Sequence, residues 1–201
     1  MRIIYSLCIY VIFLIKLNPI SVFAQSNYQN GYVVTNQNDT IFGQLRDRSP
    51  EPFGKIFRKV RLKGFWIFER RYGPKDLTSY KIGNDIYEAL WYDSYSELFS
   101  VFHVNSTGRG EKVFMRLAVD GKVKLYWDEY RDPDSGYEEA IPFFQMENSH
   151  EMIRVTQGIL GFKKKYLANL FVDCPELVKR MNEGFFETPE EMAVFYNLRC
   201  N

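Results

Sequence analysis

Glu111–Trp127, EKVFMRLAVDGKVKLYW, is the stretch whose reading decides the fold. It alternates as two strands around an Asp120-Gly121 turn. Val113, Met115 and Leu117 share one face of the first strand, and Val123, Leu125 and Trp127 share one face of the second. A two-residue loop would set Val119 opposite Lys122 and Leu117 opposite Lys124, mixing charge into the apolar face. A three-residue loop, Val119-Asp120-Gly121 with Gly121 left-handed, pairs Leu117 with Val123 and Met115 with Leu125. Because a slip of one residue inverts every side chain, the second register is the expected one. Phe114, Arg116, Lys124 and Tyr126 then form the other face, which suits a half-exposed antiparallel sheet.

The segments upstream have the same β character. Gly31–Thr35 and Thr40–Leu45 flank an Asn/Asp cluster and read as a hairpin. Lys55–Lys63 alternates, with Ile56, Val60 and Leu62 on one side, and Phe65–Glu69 reads as its returning strand. Ser79–Ile82 and Ile86–Trp91 flank Gly83-Asn84-Asp85, and Glu97–Val104, Ala140–Glu147 and Met152–Val155 complete about ten strands.

The period then changes. Phe162, Tyr166, Leu167, Leu170 and Phe171 fall on one helical face. Pro175 opens a second helix carrying Leu177, Val178 and Met181, ended by Gly184. Thr188-Pro189-Glu190-Glu191 is a full start signal for a third, with Met192, Phe195 and Tyr196 inward. The expected fold is α+β: a mainly antiparallel twisted β-sheet or partly closed barrel, followed by a short C-terminal three-helix segment. A β-rich part over residues 25–160 and a helical part over 161–201 would form one structural domain. Consecutive charges within strands and a helical C-terminus disfavour an eight-stranded membrane barrel.

The first residues read as an address. Arg2, the apolar run Ile3–Ile15 and small or modest residues at Val22 and Ala24 fit a cleavable signal peptide over residues 1–24. Lys16 interrupts the run, which is too short to span a bilayer. Cleavage would remove Arg2 and Lys16 and no acid, taking the formal charge from +1 to −1. That balance argues against nucleic acid as a partner. It would also remove Cys8, leaving Cys174 and Cys200, an even pair expected to be bridged in an oxidising compartment. Two unpaired buried thiols is the alternative. Hydrophobic residues make up 46% of the chain, enough for a core, and the 17% aromatic share favours β structure.

Three stretches together resemble a group of exported, uncharacterised proteins of Bacteroidota: GYVVTNQNDTIFGQL (Gly31–Leu45), DGKVKLY (Asp120–Tyr126), and DCPEL (Asp173–Leu177) with FYNLRC (Phe195–Cys200). PKDLTSYKIGNDIY (Pro74–Tyr87) is similar to the same group. The resemblance implies an envelope location and a shared fold. It implies no reaction, so no catalytic residue is carried over.

Few residues offer chemistry. His103 and His150 are the only histidines, and no HExxH, G-x-S-x-G, P-loop or dinucleotide fingerprint is present. A Ser-His-Asp triad or a multi-histidine zinc site is therefore hard to assemble. No catalytic residue and no cofactor is assigned. Asp132, Asp134 and Glu138 have the oxygen density of a calcium loop fragment but lack the full EF-hand spacing, so a solvated acidic turn is the ordinary reading and calcium the weaker one. Lys55, Lys59, Arg61 and Lys63 belong to the densest basic region, either a solvated strand face or a contact for anionic envelope groups. Trp66, Trp91, Tyr92 and Trp127 are the aromatics for a sugar-stacking platform, or else core and cross-strand partners.

The leading expectation is a non-catalytic cell-envelope protein, an interaction or structural module in the periplasm or at the cell surface, with an envelope protein or a glycan as partner. A glycan- or lipid-binding protein is the alternative. A carboxylate-based hydrolase is the third reading, and it would need two convergent acids in a pocket, one with a raised pKa.

Overall fold

Eleven strands and three helices make up the computed structural model, which describes residues 27–48, 58–64, 68–98, 100–131, 136 and 138–200. The strands are β1 (Gln29–Thr35), β2 (Thr40–Arg46), β3 (Val60–Lys63), β4 (Glu69–Tyr72), β5 (Leu77–Ile82), β6 (Asp85–Glu97), β7 (Ser100–Asn105), β8 (Glu111–Val119), β9 (Val123–Arg131), β10 (Glu138–Met146) and β11 (Glu151–Arg154). A 3₁₀ turn at Gly158–Leu160 leads to helices α1 (Lys164–Leu170), α2 (Pro175–Asn182) and α3 (Pro189–Arg199). The α+β architecture expected from the sequence is the one observed.

All the strand pairings are antiparallel, in the order β4-β3-β2-β1-β5-β6-β7-β11-β10-β9-β8. β8 also pairs with β6, so β6, β7, β11, β10, β9 and β8 close into a six-stranded barrel. β5 to β4 form a wing that leaves the barrel at β6. The thirteen-residue β6 serves three neighbours: Asp85–Glu88 pairs with β5, Ile86–Tyr92 with β8, and Tyr92–Glu97 with β7.

Three cores follow from this. Leu90, Met115, Tyr126, Phe143 and Met152 fill the barrel interior. Val33, Leu45, Val60, Leu62, Leu77 and Tyr80 line the wing, packed with Tyr87 and Phe114 of the barrel wall. The helices contribute Leu167, Phe171, Leu177, Met181, Met192 and Tyr196, which cover Val123, Leu125 and Phe144 on another part of that wall. The β8–β9 hairpin is therefore buried on both faces, not half-exposed.

Its register also differs from the expected one. Arg116 pairs with Trp127, Leu117 with Tyr126 and, after a bulge at Ala118, Val119 with Leu125. Leu117 and Met115 thus face the barrel interior with Tyr126, whereas Val123 and Leu125 face the helices. The reason is tertiary: Asn197 of α3 satisfies the hairpin end, with Oδ1 accepting from Val123 N at 2.9 Å and Nδ2 donating to Val123 O at 2.9 Å. Gly121, at φ 149°, fits under that side chain, where a Cβ would lie 2.5 Å from Asn197 Nδ2.

Two further corrections are local. β6 runs on past the expected end at Trp91 to Glu97, and the strand expected over Glu97–Val104 is β7, starting at Ser100. Phe65–Ile67 of the expected returning strand lie outside the described residues, and the strand paired with β3 is Glu69–Tyr72. Phe162 lies before α1, bridging to Thr156, and Tyr166 is 52% exposed. The other helical expectations hold: Pro175 opens α2, and a capping box from Thr188 and Glu191 opens α3. Cys174 and Cys200 form a disulfide with Cα atoms 5.5 Å apart, tying the start of α2 to the end of α3.

Candidate functional site

Strand β2 ends at Arg46, and the next two residues enter a polar seam between wing and barrel. Arg48 donates from Nη1 to the Phe114 carbonyl at 2.7 Å and from Nη2 to Glu129 Oε2 at 3.2 Å. Its guanidinium lies 4.8 Å from the Tyr87 ring centroid. Glu129 takes a second cation on its other oxygen, Arg116 Nε at 2.6 Å. Asp47 accepts from Tyr80 Oη at 2.6 Å, and burial pushes its carboxyl above the usual range although Arg48 and Tyr80 oppose that shift. The seam is a chain of satisfied charges that joins two halves of the molecule.

A depression of about 410 Å³ opens beside it, lined among others by Arg58, Tyr92, Asp93, Glu111, Asp128 and Glu129. Asp93 is paired with Arg109 at 2.8 Å, and Glu111 with Arg58 at 2.9 Å. Burial raises the Asp128 carboxyl. Glu129 lines the same depression, but its oxygens are held by Arg48 and Arg116. A hydrolase would need a second acid beside Asp128, and the neighbouring acids are committed to arginines.

The aromatic residues singled out from the sequence are dispersed. Tyr92 points into the barrel, its hydroxyl 2.7 Å from His103 Nδ1, and burial pushes it up to about 12. Trp127 donates its indole N–H to Glu190 Oε1 at 2.8 Å. Trp91, next to Tyr92 on β6, takes the opposite face. Trp66 lies outside the described residues. The basic group is dispersed as well: Arg61 faces Glu69 at 3.8 Å, Lys63 Nζ sits 4.0 Å over the Tyr28 ring, Lys59 is exposed, and Lys55 lies outside the described residues. Asp132 and Asp134 also lie outside them, and Glu138 opens β10. Among the described residues no group of three His, Cys, Asp or Glu is placed to hold a metal. His150 is spent on the Asn105 carbonyl, 2.9 Å from Nδ1.

An exposed apolar groove lies on the helices. Phe185, Phe186, Val194, Phe195 and Leu198 line it, about 540 Å³ between the α2–α3 connection and the outer face of α3. Leu198 is 73% exposed, Phe185 61% and Val194 44%. The Arg180 guanidinium lies 5.0 Å from both the Phe185 and Phe195 rings, bracing them from one side. Glu187 and Glu191 stand at one end of the groove and Arg199 at the other. Sequence reasoning assigned only Met192, Phe195 and Tyr196 to a face of α3 and passed over the Val194–Leu198 stripe. The signal was present: apolar residues occur all round this helix, which one buried face does not require.

No protein-family model matches the chain, and neither a curated protein nor a solved structure does.

Proposed function

We propose that the protein is a non-catalytic interaction module of the cell envelope, which docks a partner protein on its disulfide-clamped helices. The exposed groove of Phe185, Val194, Phe195 and Leu198 carries this reading, because an apolar strip of that kind on a rigid surface is the usual mark of a protein contact. The occupant it fits is an amphipathic segment with apolar side chains along its length. A basic residue would sit at the Glu187–Glu191 end and an acidic one at the Arg199 end.

A place outside the cytoplasm, in the periplasm or at the cell surface, is supported by the Cys174–Cys200 bridge and the signal-like composition of residues 1–24. No helix among the described residues is long and apolar enough to cross a membrane.

A photo-crosslinking side chain placed at Leu198, compared with one at the exposed Lys165, tests the reading in the native envelope. One discrete adduct from position 198, absent from 165 and abolished by Phe185→Glu, is the expected outcome. The same ladder of adducts from both positions would overturn it.

A further inference from the structure

Among the described residues, two cations with no ion pair, Arg154 and Lys163, line one cavity beside the start of α1. The cavity, of about 310 Å³, is lined by His103 of β7, Met152 and Arg154 of β11, and Lys163 and Tyr166 at the start of α1. Arg154 projects on the face that carries Met152 and Phe143, and its Nε is buried with no hydrogen-bond partner among the described residues. That is an unusual state for a guanidinium, whose five N–H groups are otherwise satisfied when removed from water. The ion pairs of the described residues include neither Arg154 nor Lys163. Lys163 has only the Tyr166 ring, 5.8 Å away. Glu151, the single carboxylate of the lining, is exposed and pairs with neither cation.

We propose that this cavity is a binding site for a phosphoryl anion, gripped by the Arg154 guanidinium and neutralised by Lys163, with His103 on its wall. The arginine fork matches two oxygens of a tetrahedral oxyanion, and lysine adds a point charge beside it. Burial and then mutual repulsion agree with this assignment. The Lys163 amine is held down by burial and by Arg154, and the His103 imidazole by burial, Lys163 and Arg154. A bound anion offsets the repulsion that Arg154 exerts on Lys163 and that both exert on His103. The Tyr166 ring, half exposed at the rim, offers an apolar shoulder to whatever the phosphate is attached to. The site is separate from the apolar groove, and neither depends on the other.

Calorimetric titration of the protein with inorganic phosphate, at low salt and neutral pH, tests the proposal. Vesicles of phosphatidylcholine with and without phosphatidic acid form a second arm. Saturable binding of phosphate, or of phosphatidic acid vesicles alone, is expected, and the choice between them tells a soluble ester from a lipid headgroup. Arg154→Gln should weaken binding by about ten-fold or more, the loss of a charge-assisted pair. Lys163→Gln should weaken it by about three-fold. Arg61→Gln, remote from the cavity, should leave it unchanged. Absence of saturable binding in both arms would overturn the proposal, as would affinity indifferent to both Arg154→Gln and Lys163→Gln.

Discussion

Asn197 holds Val123 by both backbone groups, 2.9 Å from the amide and 2.9 Å from the carbonyl, so the last helix fixes the end of the β8–β9 hairpin. Asn197→Ala leaves that half-buried pair unsatisfied and should destabilise the protein by about 1–3 kcal/mol, read from urea melting. Hydrogen exchange at the Val123 amide should quicken with it. A variant as stable as the wild type would show that the register stands without the helix.

The Cys174–Cys200 bridge closes a loop with a sequence separation of 26. On the chain-entropy account its removal costs about 3.5 kcal/mol. The Cys174→Ser/Cys200→Ser double variant and the reduced wild type should therefore show similar losses of melting temperature. Intact mass of the wild type should rise by the two hydrogens that reduction adds.

Glu129 pairs with Arg48 on one oxygen and Arg116 on the other, and Arg48 is only 11% exposed. Glu129→Ala strands a buried guanidinium and should cost about 2–4 kcal/mol. Arg48→Met combined with Glu129→Leu should cost less than the sum of the two single changes, because each single change already breaks the Arg48–Glu129 pair that the double one removes once. Additive losses in a denaturant series would mean that the two residues act independently.

Asp47 and Asp128 both have carboxyls raised by burial. A folded-state pKa above the unfolded one means that the native state holds the proton more tightly. The stability this contributes is complete below the unfolded value and is lost as pH rises through the folded one. Asp128→Asn should therefore melt higher than the wild type at about pH 8 and lose that advantage at about pH 3.5. Parallel melting profiles would refute it.

Much of this architecture was legible because local signals and tertiary demands coincide. The capping box at Thr188, Pro175 at the head of α2 and the β1–β2 turn are short-range features, and each lies where the sequence puts it. The β8–β9 register was not legible: Asp120-Gly121 favours a tight loop, and the residue that overrides it, Asn197, is 74 positions from Val123. The same holds for the polar seam, where Arg48 follows a strand end and nothing nearby announces Glu129, 81 residues away. Arg154 reads as one charge in an alternating strand. The β7–β11 pairing brings His103 beside it, and the Thr156–Phe162 bridge brings Lys163 back.

β6 belongs to wing and barrel alike, since one edge carries β5 and then β7 while β8 occupies the other. Neither half can fray from the other without breaking a strand that both require. Heat should therefore dissolve the molecule in a single event, and no interdomain hinge is available for motion. A pull between wing and helices would load that one strand along its length, with the Arg48–Glu129 seam beside it sharing the strain.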